Sequence, residues 1–166
     1  MATLMDEQQR RAVPIVLVGV LATAAFAVVG ALQILVWNPM AAVPDMSLPE
    51  IRAAMSAADE PLVAAPVYVW ALAGPVLALI VGAFSILRFP DLPWTIARLF
   101  LLIVLLGTPT YVFVSFGPGM SIADTFASSG GDHAPWSRIL YGMSLLALIF
   151  LLVTFTKKDH RRRATT

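Results

Sequence analysis

The chain has 166 residues, 59% of them hydrophobic and 13% charged, with a formal net charge of +1 and no cysteine; its mean hydropathy is +0.84. That balance excludes an ordinary water-soluble domain and leaves no basic surface of the size a nucleic-acid reader needs. The missing cysteine excludes disulfides, thiolate metal sites, haem attachment and thiol redox chemistry.

Taken in order, the chain predicts one all-α domain over 1–166, an integral membrane four-helix bundle. The leader MATLMDEQQRR ends in Arg10 and Arg11 directly before the first apolar run, as charge flanking a first span does. The first span is expected over 12–37, too long for a signal-peptide core, so it reads as a retained helix. Gly19, Thr23, Ala27 and Ala31 recur every four residues along it, a small-residue stripe that would let another helix approach closely. Gln33 lies near its far end, where an amide reaches water or a neighbouring helix.

A first long connection is expected over 38–62, because its prolines and acids do not continue a span. Inside it, Ser47-Leu48-Pro49-Glu50 has the capping-box pattern, predicting a short extramembrane helix from Leu48 to Ala58. Leu48, Ile51 and Met55 give that helix one weakly apolar face, suited to lying on the bilayer surface or to capping the bundle. The second span is expected over 63–87. Gly74, Ala78 and Gly82 repeat the four-residue spacing there, Pro75 interrupts the backbone hydrogen bonding, and Tyr68 and Trp70 mark an interface.

Arg88 to Pro93 is a connection short enough to make the second and third spans antiparallel neighbours. The third span is expected over 94–116. Near its start Arg98 is placed to reach the headgroups or to pair with Asp91. Further along, Gly107-Thr108-Pro109-Thr110 should bend the helix, with threonine hydroxyls satisfying carbonyls that proline leaves open. The second long connection, 117–138, is rich in glycine and serine; Ser121 and Asp124 suggest a single capped turn, and Ser128 to Gly131 a flexible link. Asp124, Asp132 and His133 are the one grouping that invites a metal, but adjacent Asp and His on a glycine-rich loop lack the ligand count and fixed geometry of a site, so the expectation is a solvated loop with no metal and no cofactor. After Trp136, the fourth span is expected over 139–156, followed by a basic tail at 157–166.

Positive charge sets the expected orientation. Arg10, Arg11, Arg88, Arg98 and the tail residues Lys157, Lys158, Arg161, Arg162 and Arg163 fall on one side, and only Arg52 and Arg138 on the other. The positive-inside rule therefore puts both termini and the short hairpin in the cytoplasm and both long connections outside. The tail is expected to touch anionic lipid.

Function is bounded mainly by what the expected spans lack. They hold no Asp, Glu, Lys or His, and only Arg98 near an end, whereas pumps and proton-coupled transporters carry ionisable groups at depth. His133 and His160 lie outside the spans, which disfavours haem, and no HExxH, GxSxG or glycine-rich phosphate loop occurs. The expectation is a non-enzymatic membrane protein, a subunit or stabiliser of a larger complex or a self-associating bundle, with lipid and membrane proteins as partners and no nucleic acid. The alternative is a small channel or transporter for a neutral or weakly polar solute, lined by Thr108, Thr110, Tyr111 and Ser115. Alanine, valine and proline richness, with arginine exceeding lysine, suggests a bacterial plasma membrane. Several unrelated tetraspan groups share this layout, and no motif chooses among them.

Overall fold

The structure is a computed structural model that describes the backbone of residues 2–163 and the side chains of residues 12–155. It is helical throughout, with no strand among the described residues. Four stretches, Ala12–Ala42, Ala65–Arg88, Pro93–Phe126 and Ser137–Phe155, are long and apolar enough to cross a membrane, with mean hydropathies of 2.6, 2.2, 2.2 and 2.1. About 20 apolar residues suffice for one crossing, so the chain is a small multi-pass membrane protein.

Helix α1 (Ala2–Leu32) runs into a π-helical turn, Gln33–Trp37, and a short α2 (Asn38–Ala42). The first apolar helix thus continues past Trp37, where the Asn38-Pro39 pair was expected to end it. Pro39 stands at the start of α2, where its missing N–H is tolerated, and the π turn absorbs the change of register through an Asn38 N–H bond to the Gln33 carbonyl. The carbonyl of Leu35, four residues before Pro39, receives no helical donor from it; the Arg52 guanidinium donates to that oxygen instead, at 3.3 Å.

A short helix α3 (Leu48–Ala57) follows, with Ser47 as its N-cap and a capping box in place. The Glu50 carboxylate accepts from the Ser47 N–H at 2.7 Å and from its hydroxyl at 2.6 Å. These bonds favour the ionised form and hold the Glu50 carboxyl below its usual range. Ile51 and Met55 are fully buried against Ile122, so this helix packs on another element by its apolar face.

Helix α4 (Ala65–Arg88) and helix α5 (Pro93–Phe126) form an antiparallel hairpin, and helix α6 (Ser137–Arg163) closes the bundle. α5 passes Gly117-Pro118-Gly119, expected to open a loop, and ends only at Ala127, in the left-handed conformation with φ 51°. Ser121 and Asp124 therefore lie within a helix rather than on a separate turn, and Thr125 donates to the Ser121 carbonyl at 2.8 Å. The reason is tertiary: the last turns of α5 carry Ile122 and Phe126, the surface on which α3 rests, and that burial outweighs one lost backbone bond at Pro118. Thirty-four residues at ~1.5 Å each also make α5 longer than a membrane core requires.

α1, α4 and α5 pack around one another, and α6 leans mainly on α5. The small residues read from the sequence are sockets for large neighbours. The Phe100 ring fills the space beside Gly19, and a Cβ at Gly82 would lie 2.6 Å from Val16 Cγ1. Thr23, Ala27 and Ala78 are buried, and Gly74 faces Thr23, whereas Ala31 is only partly buried. Two further sockets were not anticipated: Trp70 fills Gly30, and Phe26 fills Gly107.

Candidate functional site

The polar chemistry gathers at the end of the bundle where the two long connections meet. Two amides on the first helix reach across to the second connection. Gln33 is fully buried, and its Nε2 donates to the Ala134 carbonyl at 3.1 Å. One turn on, Asn38 Oδ1 accepts from the N–H groups of His133 at 2.6 Å and Ala134 at 3.4 Å, while its Nδ2 donates to the Gly131 carbonyl at 3.3 Å. The glycine- and serine-rich segment is therefore not a free link. Its backbone groups are bound by side chains almost a hundred residues away, and Gly119 and Gly130 meet backbone to backbone with no room for a side chain on α5.

Clamped in this way, the connection brings Asp132 over the helix ends. Its carboxylate accepts from the Tyr111 hydroxyl at 2.7 Å and from that of Tyr141 through its other oxygen. Tyr111 is 1% exposed, so burying its hydroxyl requires the acceptor that Asp132 provides. The rings continue as a row across all four long helices: Phe26 to Trp70 at 6.4 Å, Trp70 to Tyr111 at 6.3 Å, and Tyr111 to Tyr141 at 6.1 Å. Trp37 and Trp136 meet in a tilted contact, with ring centres 5.6 Å apart. A cavity of about 240 Å³ opens beside this row, lined by Asn38, Tyr111, Ser115, Gly119, Asp132 and Tyr141 among others. The Gln33 Oε1 atom is buried without a hydrogen-bond partner among the described residues.

The four residues expected to form a polar lining go different ways. Tyr111 and Ser115 border the cavity, although the Ser115 hydroxyl donates to its own helix at Val112, 3.1 Å away. Thr108 faces α6, donating to Ser144 at 2.8 Å, and Ser144 in turn donates to the Val104 carbonyl at 2.9 Å. Thr110 faces α4. Its hydroxyl accepts from Trp70 Nε1 at 3.0 Å and bonds the carbonyls of Leu106 and Gly107, rather than that of Leu105, to which Pro109 has no N–H to donate. Thr108 and Thr110 thus tie α5 to α6 and to α4, Tyr111 holds the second connection and Ser115 bonds within α5, so the four do not line one passage.

Asp124, Asp132 and His133 likewise separate: Asp124 sits on α5, Asp132 is held by the two tyrosines, and the His133 ring bonds Ser129. At the opposite end of the bundle Arg98 is engaged by α6 rather than by Asp91. Its Nε donates to Thr154 Oγ1 at 3.1 Å, its Nη2 to the Thr154 carbonyl at 2.6 Å, and the guanidinium lies 4.7 Å from the centre of the Phe155 ring. The side chains of Lys157, Lys158, Arg161, Arg162 and Arg163 lie outside the described residues.

Sequence reasoning missed Asn38, Asp132, Tyr141 and Arg52 as structural anchors. The available signal was faint: an amide directly before a proline at a span end, and a single acid within a run of small residues. No family model, curated protein or solved structure matches the chain.

Proposed function

We propose that this chain is a non-enzymatic subunit or stabiliser of a larger membrane complex in a bacterial plasma membrane, with both termini and the short hairpin cytoplasmic and the two long connections outside. One observation carries the reading: Thr108, Tyr111, Gln33 and Asn38 use their polar groups to bond a neighbouring helix or to fix the second connection, which gives the bundle a shaped end. Asp45, Glu50, Asp59 and Glu60 give the first connection an acidic character that suits contact with a polar partner. Mass measurement of the intact particle, released from source membranes in native nanodiscs, tests this. A particle heavier than any small multiple of the 17.9 kDa chain is expected, with other proteins in fixed ratio. A lone chain or a symmetric homo-oligomer would overturn the subunit reading.

A second reading, passage or binding of a small polar solute, draws on the cavity beside Tyr111, Ser115 and Asp132. It calls for solute flux that Ser115→Trp abolishes in reconstituted vesicles, and it fails if no flux exceeds that of empty vesicles.

A further inference from the structure

At the hairpin end of the bundle, an apolar cleft of about 460 Å³ runs between α1, α5 and α6, with Val18, Ala22, Ala97, Leu101, Leu146 and Phe150 among its walls. It exists because α6 packs on α5 and barely touches α1, while the Phe100 ring, seated on Gly19, forms its floor. The walls are open to the surroundings: Val18 is 68% exposed, Leu146 55% and Phe150 58%. A partner helix, about 10–12 Å across with its side chains, would ride over these walls and leave the floor of the cleft empty. A flexible hydrocarbon chain fills such a space and restores the missing contacts.

A cation stands at one end of this cleft. Thr154 lines the cleft and also anchors Arg98, through its hydroxyl at 3.1 Å and its carbonyl at 2.6 Å. Both acceptors are neutral, and no carboxylate among the described residues lies within ion-pair distance of Arg98. A guanidinium has five N–H donors, so those left over are held in a fixed plane, which suits a phosphate. Trp94, 68% exposed, lines the same end of the cleft, as an aromatic ring at headgroup level does. The chain beyond Phe155 continues with Lys157 and Lys158, so positive charge is concentrated in this stretch of sequence.

We propose that the cleft is a binding site for an anionic phospholipid, with one acyl chain between α1, α5 and α6 and the headgroup phosphate on Arg98. The site holds whether or not the protein has a partner complex. It is tested on the full chain reconstituted in nanodiscs with equal parts of phosphatidylglycerol and phosphatidylcholine of matched acyl chains, followed by native mass spectrometry. The wild type should retain phosphatidylglycerol in several-fold excess. Arg98→Gln should abolish that excess and Arg98→Lys keep part of it, while Leu146→Trp, at an exposed position on the cleft wall, should lower retention of both lipids. A photoactivatable phosphatidylglycerol on the wild-type protein gives a readout that no variant's folding affects, with crosslinks expected on residues 15–22, 94–104 and 143–155. Unchanged excess in Arg98→Gln, crosslinks spread evenly over all four helices, or a lipid-free dimer that buries the cleft would each overturn the proposal.

Discussion

Replacing Asn38 with leucine keeps the side-chain volume close to native and removes the clamp between the first helix and the second connection. The loss is unequal across its three bonds. The His133 N–H at 2.6 Å is well bonded, the Ala134 N–H at 3.4 Å contributes little, and the Nδ2 bond to Gly131 at 3.3 Å is modest. Leaving one partly buried N–H unsatisfied costs about 1–3 kcal/mol, and a modest bond contributes about 0.5–1. The sum, about 1.5–4 kcal/mol, corresponds to roughly a 10- to 700-fold rise in the open population of the connection at about 1.4 kcal/mol per factor of ten. Because the clamp holds a surface segment, the opening is local and the four helices stay packed. Hydrogen exchange should quicken at the amides of His133 and Ala134, which Asn38 Oδ1 accepts from, and should stay slow in the middle of α1 and α5. Asn38→Asp, which keeps the acceptor, should lie between. Unchanged exchange at His133 and Ala134 in Asn38→Leu would refute the clamp.

Gly82→Leu should lower the melting temperature in detergent more than Thr110→Val does. The first drives a side chain into Val16, an overpacking cost of about 1–3 kcal/mol, and the second removes the acceptor of the Trp70 N–H, a loss of about 1 kcal/mol. Reversed melting shifts would count against close helix contact as the main cohesive device. Tyr111→Phe should cost more than Tyr141→Phe, about 2 kcal/mol against less than about 1, because both hydroxyls donate to Asp132 but only Tyr111 is buried; denaturant titration of the two variants measures the difference. The Glu50 carboxyl is held below its ordinary value of 4.5 by the Ser47 hydroxyl and N–H, so its support of α3 is fully present above that value and is lost as pH falls through the lowered one. Amide protection across 48–51, taken relative to the intrinsic exchange rate at each pH, should therefore fall on acidification in the wild type, and Glu50→Gln should remove that acid-induced step.

What could be read from the sequence follows from the range of each interaction. Hydropathy is local, so four helices able to cross a membrane were legible, as were the short α4–α5 hairpin and the pattern at Ser47 and Glu50. Helix ends were less so. Pro39 and the Gly117-Pro118-Gly119 run are breakers by local rules, yet the helices pass both points. Arg52 supplies the missing donor at the first, and α3 rewards continued burial of Ile122 at the second. The polar end of the bundle was illegible for the same reason. A stretch rich in glycine and serine reads as flexible until Gln33 and Asn38, far away in the chain, are seen to bind Gly131, His133 and Ala134. Small residues were recognised as contacts, but only the structure shows which aromatic ring fills each one.

Because the chain contains no cysteine, single introduced cysteines allow the most direct test of its arrangement across the membrane. Ser129→Cys in the clamped connection, Asp59→Cys after α3 and Asp91→Cys in the hairpin all replace exposed residues. Labelling of intact cells with a membrane-impermeant maleimide should reach the cysteines at 59 and 129, and should reach the one at 91 only after permeabilisation. Labelling of the cysteines at 91 and 129 from the same side would contradict a four-crossing bundle with its two long connections held together on one face.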